Sequence, residues 1–401
     1  MLTTYGHLTY CTNIHSGENW DDHFRQLQLH LPAIKAAVSP DKPMGIGLRV
    51  ANKASLELSK EDQLLDFKHW LKQQDCYVFT MNGFPYGSFH DTVVKDQVHT
   101  PDWTQADRVA YTIRLFRLLA ALLPEGIEGG ISTSPLTYKP WFSRCEEERN
   151  SATETATLNI LSVVEQLVRI QRAGGPVMHL DIEPEPDGLL ENTQEYIDWY
   201  TGALLPAGIP FLQDKFEVDA ATAATLIRTH VQLCYDVCHF ALEYETPQHV
   251  LDQLVQYDLK VGKLQISAAL RAEIPGDTTA RQQVLDAFAL FNEPVYLHQV
   301  IARQPEGQTH YPDLPQALEA AAPATEWRSH FHVPVFLDQY GLLGSTRQDI
   351  ETVLTLQRQQ PFTAHLEVET YTWDVLPADL KLPIGESIAR ELNWVKQQLE
   401  L

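Results

Sequence analysis

Several short apolar segments of the chain end in residues that can bind a cation or move a proton. The clearest is "VQLCYDVCH" at 231–239, in which Asp236 and His239 are three residues apart. A carboxylate is costly inside a strand, so Asp236 must pair, bind a cation, or lie where the strand opens into a loop. Positions i and i+3 of a strand face opposite sides, so the two side chains share a target only if the chain leaves the strand between them. A carboxylate–imidazole pair that merely satisfies the core is the alternative.

The ends of the other predicted strands carry similar donors. Together they give Asn13, His15, Arg49, Asn52, Asn82, Ser132, Ser134, Glu183, Glu185, Asp236, His239, Gln265, Glu367 and Glu369. Carboxylates gathered at one place repel one another, and a divalent cation is the simplest way to keep them all ionised. Glu369 should meet the ion rather than Glu367 because it is nearer the strand end. "HFHV" places His330 and His332 on one side of an extended run, where they could chelate a metal; surface histidines are the alternative.

The segments that position these residues alternate between strand-like and helix-like patterns. Strands are predicted at 7–13, 44–50, 76–83, 129–134, 176–183, 231–236, 263–267 and 365–373, and helices at 19–38, 60–74, 103–123, 150–173, 191–204, 217–228, 246–257 and 346–360. This alternation predicts a parallel sheet of nearly eight strand–helix units. We expect an α/β fold, a TIM (β/α)8 barrel. A doubly wound open sheet would gather polar residues at one switch point, whereas here they follow almost every strand.

Residues 268–345, called the excursion below, interrupt this repeat. They contain seven prolines and two further apolar runs, 295–301 and 330–336. A connection of this length is uncommon unless it serves as a lid or binding loop, and the two runs could pair as a hairpin. We therefore expect one domain over 1–401, with an inserted lid after the seventh strand that covers the C-terminal mouth of the barrel.

The composition excludes several classes of function. The 401 residues include 53 acidic and 30 basic side chains, a formal net charge of −23, and this surface would repel a polyanion such as nucleic acid. The sequence has no run of roughly 18 apolar residues and no basic leader, so we expect a soluble, cytoplasmic protein without a membrane partner. Five cysteines without a CxxC pair suggest core thiols. A small polar substrate is compatible with all of this.

Longer motifs resemble known families. The ordered set Glu183, Asp236-x-x-His239, Gln265, His330-x-His332 and Glu369 resembles the xylose-isomerase-like TIM barrels, which include sugar isomerases, sugar-phosphate epimerases and dehydratases, and the endonuclease IV branch. "HLTYCTNIHSGENW", "MNGFPYG", "LDIEPEPDG", "HFHVPVF" and "HLEVETYTWDVLP" are similar to the EboE-type metabolite traffic proteins, and the likeness runs from residue 7 to about 378. This resemblance implies that other proteins of the same metabolite pathway are partners.

The resemblance also implies a ligand set. Glu183, Asp236, Gln265 and Glu369 would hold one divalent ion, Mn, Mg, Co or Zn. Gln265 stands where the superfamily has an imidazole, which favours Mn or Mg, or His332 as the replacement ligand. In the endonuclease branch the positions of His239, His330 and His332 hold an additional zinc. Asn82 and Ser132 replace two further histidines of that branch, so its full three-metal phosphodiesterase site is not expected.

These residues, together with the resemblance, suggest three functions. The first is a metal-dependent isomerase or epimerase for a small polyhydroxylated or keto compound, in which Glu183 or Glu369 moves a proton opposite His15, His239 or Lys263. We expect its substrate to be bound by Asn13, Asn82, Tyr86, Arg49 and Trp373. The second is a metal-dependent hydrolase, of the phosphodiesterase or phosphatase kind, with two or more ions. The third is a non-catalytic metabolite-binding barrel.

Overall fold

The computed structural model describes residues 1–87, 94–142, 145–320, 322–371, 373 and 383–401. Its strands are β1 (Leu2–Thr3), β2 (Gly6–Tyr10), β3 (Met44–Arg49), β4 (Cys76–Asn82), β5 (Gly129–Thr133), β6 (Met178–Ile182), β7 (Val231–Asp236), β8 (Val261–Ile266), β9 (Leu270–Glu273), β10 (Val300–Gln304), β11 (Gly307–Tyr311), β12 (Glu326–Ser329), β13 (Gln339–Tyr340), β14 (Leu343–Ser345) and β15 (His365–Val368). Its helices are α1 (Trp20–Val38), α2 (Asn52–Leu58), α3 (Glu61–Gln73), α4 (Ala106–Leu122), α5 (Glu146–Arg172), α6 (Thr193–Trp199), α7 (Leu205–Phe216), α8 (Ala220–His230), α9 (Val237–Leu242), α10 (Pro247–Gln256), α11 (Thr278–Ala289), α12 (Leu314–Ala320), α13 (Arg347–Gln359) and α14 (Ile384–Gln398).

Eight parallel strands close into a barrel. The sheet order is β1-β2-β15-β8-β7-β6-β5-β4-β3, in which β1 pairs antiparallel with β2 and every other pairing is parallel. A parallel bridge between Cys11 and Gly47 joins the two ends of this order, so β2 and β3 complete the ring. The predicted TIM (β/α)8 barrel is confirmed, with the excursion inserted after its seventh strand, β8.

The helices pack on the barrel through apolar faces that the sequence makes visible. In α1, Leu27, Leu31, Ile34 and Val38 recur on one side and are fully or almost fully buried. Asn19 begins this helix because its side-chain oxygen accepts a hydrogen bond from the Asp22 amide, at 2.9 Å. No helix in the described part of the chain is long and apolar enough to cross a membrane.

Glycines leave room for polar side chains inside the barrel. A Cβ atom on Gly47 would lie 1.6 Å from the Glu367 Oε1 atom, and one on Gly262 would lie 1.9 Å from the Asp181 Oδ1 atom. Both positions therefore require glycine while Glu367 and Asp181 point inward. The interior of this barrel is in part a column of ionisable groups, whereas barrel interiors are dominated by branched apolar residues.

The excursion forms a second, antiparallel sheet in the order β11-β10-β12-β9-β14-β13. The predicted pairing of 295–301 with 330–336 is wrong. β10 pairs with β12, with Val300 opposite Ser329, so the ladder lies mainly beyond the first run and before the second. The His330 amide still donates to the Gln299 oxygen, at 2.8 Å, and the chain then leaves the sheet before Pro334, which has no amide hydrogen to continue a ladder.

Several element boundaries differ from the sequence prediction. The helix predicted at 191–204 is α6, which continues through a wider turn at 200–204 into α7. The predicted helices do not include α2, α7, α9, α11, α12 or α14. The strand predicted at 365–373 ends at Val368, and Thr372 lies outside the described residues.

Candidate metal centre

Three carboxylates converge at the C-terminal ends of the barrel strands. Glu183, Asp236 and Glu369 each place one carboxylate oxygen within 4.8 Å of the others, and we call them the carboxylate cluster. The three side chains are buried, at 3%, 0% and 3% exposed. Asp236 is the last residue of β7, and Glu183 and Glu369 directly follow β6 and β15. Amino acids far apart in the chain thus meet because parallel strands deliver their ends to one mouth.

The hydrogen bonds of Asp236 explain its spacing to His239. One carboxylate oxygen, Oδ1, caps the short helix α9 by accepting from the His239 amide at 3.1 Å, and it also accepts from the Ser267 hydroxyl at 2.7 Å. The chain therefore leaves the strand at Asp236, and the first helical turn brings His239 back to the same side. The other oxygen, Oδ2, has no hydrogen-bond partner among the described residues.

Two amides hold Glu369. The side-chain nitrogens of Asn13 and Asn82 donate to its Oε1 atom at 2.7 and 2.8 Å. Asn82 is itself oriented because its oxygen accepts from the Phe84 amide at 3.0 Å. These donors stabilise the ionised form of Glu369.

Burial and mutual repulsion act against ionisation of this cluster. Burial, followed by the charges of Glu369 and Asp236, raises the pKa of Glu183 well above its ordinary value. Burial and the charge of Asp236 do the same to the pKa of Glu369. In the described part of the chain, histidines are the only basic groups within 4.0 Å of these three carboxylates. A cation is therefore needed if all three are to be ionised at neutral pH.

Gln265 lies beside the cluster on β8. It is fully buried and stands level with Asp236 on one side and Glu367 on the other. Neither atom of its amide group has a hydrogen-bond partner among the described residues. A buried amide without partners costs free energy, which an ion or a water molecule bound to its oxygen would recover.

Three histidines form a second group next to the first. His239, His330 and His332, the histidine cluster, are all buried. The Nδ1 atoms of His239 and His332 lie 3.0 Å from the backbone oxygens of Pro184 and Glu369, and a backbone oxygen only accepts. Both rings therefore carry their proton on Nδ1 and present the Nε2 lone pair.

His330 has the same tautomer. Its Nδ1 atom lies 2.8 Å from the oxygen of Gln299, and the orientation of that amide is fixed because its nitrogen donates to the Pro186 oxygen at 3.1 Å. The Nε2 atoms of His239 and His330 then face each other at 3.2 Å with a lone pair on each. Burial lowers the pKa values of both rings well below the ordinary range, so a proton between them is disfavoured. A metal ion resolves this contact, and an Nδ1–H bonded to a carbonyl is typical of metal-binding histidines.

Asp236 belongs to both groups. Its carboxylate also lies within 4.8 Å of ligand atoms of His239 and His332, and the His332 Nε2 atom is 3.8 Å from Oδ2. The donors therefore fit one or two divalent cations that share Asp236. The oxygen donors suit Mg or Mn, and the imidazoles suit Zn or Co.

A cavity of about 70 Å³ opens above these ligands, larger than the roughly 10–15 Å³ that one water molecule requires. Its wall includes Asn13, Asn82, Phe84, Lys95, His99, Glu183, Glu185, His239, Tyr296, Gln299, His330, His332, Glu369 and Tyr371. The excursion provides Tyr296, Gln299, His330 and His332. The cavity is thus bounded by strand ends on one side and by the excursion on the other.

Two residues of the cavity wall, Glu185 and His99, were not predicted as site residues from the sequence. Glu185 follows Pro184 in a loop, where a solvated side chain is common, and is instead 6% exposed with its Oε1 atom 3.0 Å from the Nε2 atom of His99. His99 is not among the predicted site residues, and it packs against the rings of Tyr138 and Phe84. These two residues are separated by 85 others in the chain, so the sequence does not predict their contact. The motif EPEP at 183–186 was the only sequence feature that pointed to Glu185.

The structure does not bring every predicted residue to this cavity. Lys263 is one layer deeper, where its ammonium donates to Glu367 at 2.9 Å, the Met81 oxygen at 2.9 Å and Ser132 at 3.2 Å. His15 lies against Tyr10, with its Nε2 atom 3.0 Å from the hydroxyl, and stacks on His30. Neither is part of the cavity wall.

Three predicted substrate-binding residues also lie elsewhere. Arg49 is fully buried, donates to the Gly87 oxygen and is 3.6 Å from Glu18. Tyr86 packs edge-on against Tyr111, and Trp373 packs against Phe336. A position at a strand end predicts height along the barrel but not the direction of a long side chain. Of the five predicted binding residues, Asn13 and Asn82 contribute to the wall.

Comparisons with known proteins give the following. No protein-family model matches the chain. A curated relative, 5-methyltetrahydropteroyltriglutamate–homocysteine methyltransferase of Flavobacterium johnsoniae, is 22% identical over 297 residues, which is 73% of this chain and 33% of that enzyme. The chain therefore spans about a third of the length of this relative. The EboE-type resemblance stays a prediction.

Solved structures similar to the chain include the following three. The IolI protein with a bound zinc atom has a TM-score of 0.48 at 11% identity, covering 98% of each chain. A xylose isomerase-like TIM barrel protein from Mycobacterium smegmatis in complex with magnesium has a TM-score of 0.48 at 10% identity, covering 99% of this chain and 97% of that one. D-psicose 3-epimerase, solved with D-fructose, has a TM-score of 0.48 at 13% identity, covering 98% and 99%.

Proposed function

We propose that the protein is a divalent-metal-dependent isomerase or epimerase that acts on a small polyhydroxylated or keto compound. The observation that supports this most is the convergence of Glu183, Asp236 and Glu369 within 4.8 Å of one another at the mouth of the barrel. The sequence resemblance adds a setting in a secondary-metabolite pathway, with other proteins of that pathway as partners, and the composition of the chain adds a cytoplasmic location.

The carboxylate cluster would hold the cation, with Gln265 or His332 as a further ligand. A bound divalent ion would polarise a carbonyl or hydroxyl oxygen of the substrate. Asp236 is oriented for this role because Ser267 and the His239 amide hold its other oxygen. Glu369 is positioned by Asn13 and Asn82.

Glu183 is the best base for moving a proton. Its Oε2 atom has no hydrogen-bond partner among the described residues, and the side chain is part of the cavity wall. Burial and the neighbouring carboxylates raise the pKa of Glu183 above that of an ordinary glutamate, and a carboxylate with a raised pKa is a stronger base, which suits general acid–base catalysis. Glu185, also in the wall, would supply the opposing acid, because the Nε2 atom of His239 carries no proton in the assigned tautomer. The excursion would serve as the lid that keeps water from the reacting carbon.

A second candidate is metal-dependent hydrolysis, which the histidine cluster favours. Two cations that share Asp236 would resemble a two-metal site. Hydrolysis of a phosphate ester would also need basic side chains that bind the phosphate. The described cavity wall contains one lysine, Lys95, and its ammonium already pairs with Asp313 at 2.6 Å. We therefore place hydrolysis second and a non-catalytic metabolite-binding barrel third.

Deuterium exchange tests the proposal. Metal-loaded protein is incubated in D2O with a panel of ketoses and cyclic polyol ketones, and proton NMR follows the C–H bond beside the carbonyl. We expect exchange or epimerisation of at least one compound, lost on chelation and lowered about 10²–10⁴-fold by Glu183→Gln. Glu191→Gln, at a carboxylate outside the described cavity wall, is the matched control and should retain activity.

Each rival function predicts a different result. A hydrolase would cleave bis-p-nitrophenyl phosphate or an ester and exchange no C–H bond. A binding protein would retain one of these compounds without exchanging or cleaving it. Either result would overturn the isomerase proposal.

A further inference from the structure

A second and larger cavity lies at the opposite end of the barrel. It is bounded by the N-terminal ends of strands, where His7, Cys76 and Tyr77 lie, by α3, and by the loop between α4 and β5. Its volume is about 780 Å³, within the range of roughly 300–1,000 Å³ that is usual for small-molecule sites. We call it the N-terminal cavity. None of the residues of the candidate metal centre lines it.

The wall of this cavity is mainly apolar. Leu2, Pro43, Leu71, Leu122, Pro124 and Ile127 contribute to it. Leu71 and Leu122 are almost fully buried, whereas Leu2 is 61% exposed. The imidazole of His7 and the hydroxyl of Tyr77 are hydrogen-bonded to each other at 2.7 Å, so these polar groups satisfy one another. An apolar body can therefore enter without displacing unpaired polar groups.

The charge around this cavity is opposite to that of the protein as a whole. The chain has a formal net charge of −23, yet Lys42, Lys68 and Lys72 line the cavity, with Asp75 as its acidic residue. Asp75 is already neutralised, because the ammonium of Lys35 lies 3.1 Å from its carboxylate. Among the described residues, none of the three lining lysines has an ion-pair partner within 4.0 Å.

Two of these lysines repel each other. Lys68 and Lys72 are one turn apart on α3, and like charges at this spacing destabilise a helix. An anion beside them would relieve this repulsion. The cavity thus combines an apolar wall with an unneutralised cationic rim, an arrangement that matches a molecule with one anionic group and an apolar body.

We propose that the N-terminal cavity binds an amphipathic carboxylate, of the type of a medium-chain fatty acid anion. Its hydrocarbon chain would pack on Leu71, Leu122 and Ile127, and its carboxylate would lie among Lys42, Lys68 and Lys72. The site is independent of the metal centre, because it uses the other end of the barrel.

Isothermal titration calorimetry with decanoate tests this site on the full chain, with and without chelator. We expect one decanoate per chain in both conditions. Affinity should rise about fourfold for each methylene from hexanoate to decanoate, the factor that follows from the transfer free energy of a methylene group. Decanol, which has the same chain without the charge, should bind at least tenfold more weakly.

Charge-matched variants separate a specific site from general attraction. The triple variant Lys42→Gln, Lys68→Gln and Lys72→Gln should lose at least tenfold in affinity. The control triple Lys53→Gln, Lys60→Gln and Lys260→Gln removes the same number of exposed charges elsewhere and should bind as the parent does. Ile127→Asp, which places a negative charge in the wall, should also prevent binding.

Three outcomes would overturn the proposal. They are a folded parent protein that does not bind decanoate, equal losses in the two triple variants, and equal binding of decanol and decanoate. Because the titration is read without metal, its failure leaves the proposed isomerase reaction unaffected, and failure of the isomerase assay leaves this site unaffected.

Discussion

Two groups of buried ionisable side chains lie one above the other inside the barrel, and they are neutralised differently. In the lower group, Lys263 and Glu367 pair at 2.9 Å with both side chains fully buried. The ammonium uses its remaining donors on the Met81 oxygen and Ser132. In the upper group, the carboxylate cluster, three acids meet without a lysine or arginine within 4.0 Å among the described residues.

The difference shows where an external cation belongs. Glu367 lies on β15, Glu369 directly follows this strand, and both face the barrel interior, yet only the lower one has a lysine or arginine counter-ion among the described residues. A buried charge requires a partner of opposite sign. The charge of Glu367 in the lower layer is thus balanced by Lys263, whereas the charges of the upper layer are balanced only when a cation is bound.

Breaking the lower pair should have the largest effect on stability. Lys263→Met leaves Glu367 charged and buried, and we expect a loss of about 3–5 kcal/mol in the free energy of unfolding, measured by urea denaturation. Adding Glu367→Gln removes the stranded charge and should recover much of that loss. If Lys263→Met alone were as stable as the parent, Lys263 would not be the group that neutralises Glu367.

Removing one acid from the upper group should have the opposite effect on the metal-free protein. Asp236→Asn lessens repulsion and keeps a residue that can cap α9, so the metal-free variant should melt at a higher temperature than the parent. Its affinity for Mn²⁺ should fall at least about 100-fold, measured by calorimetry. Asp252→Asn, at an exposed position on α10, is the control and should change neither quantity. An unchanged affinity would exclude Asp236 as a ligand.

Removing the side chain of Gln299, which fixes the tautomer of His330, should have a smaller effect on metal affinity. Gln299→Leu removes the acceptor of the His330 Nδ1 proton, and zinc affinity should fall about 10–100-fold in a chelator competition assay. Binding of Mn²⁺ at the carboxylate cluster should be retained. Gln308→Leu, an exposed position on β11, serves as the control. Equal zinc affinity in the two variants would contradict the assigned tautomer.

A third buried acid, Glu391, differs from Glu367 and the carboxylate cluster because it is kept protonated, and this makes stability depend on pH. Glu391 on α14 accepts from the Val335 amide at 3.1 Å and from Thr370 at 2.7 Å, and burial raises its pKa to about 8. The folded state therefore retains a proton that the unfolded state loses above about pH 4.5. This stabilisation is complete below pH 4.5 and is lost as the pH rises to 8, at up to about 1.4 kcal/mol per pH unit.

Glu391→Gln should remove that part of the pH dependence. The difference in unfolding free energy between parent and variant, measured by denaturation from pH 5 to 8, should change with this slope. Glu386→Gln lies on the same helix at an exposed position and should leave the parent profile unchanged. A flat difference for Glu391→Gln would show that this carboxyl is ionised in the folded state.

The sequence predicted the barrel and the acids of its mouth because both depend on periodicity. Alternating strands and helices fix which residues end a parallel strand, and Glu183, Asp236 and Glu369 do so. The spacing of Asp236 and His239 predicted that the two side chains share a target only if the chain leaves the strand between them, and the structure shows that α9 begins there. The sequence could not give the path of irregular segments. Glu185 and His99 meet through two loops, and the ladder of the excursion is displaced from its two apolar runs.

Metal analysis of protein purified without added metal tests the central claim most directly. The account predicts at least one equivalent of Mn, Mg, Co or Zn per folded chain, lost in Asp236→Asn and retained in Asp252→Asn. One equivalent agrees with the isomerase site, and two agree with occupation of the histidine cluster as well. A folded protein that contains no metal and binds none when titrated with these four ions would contradict the account.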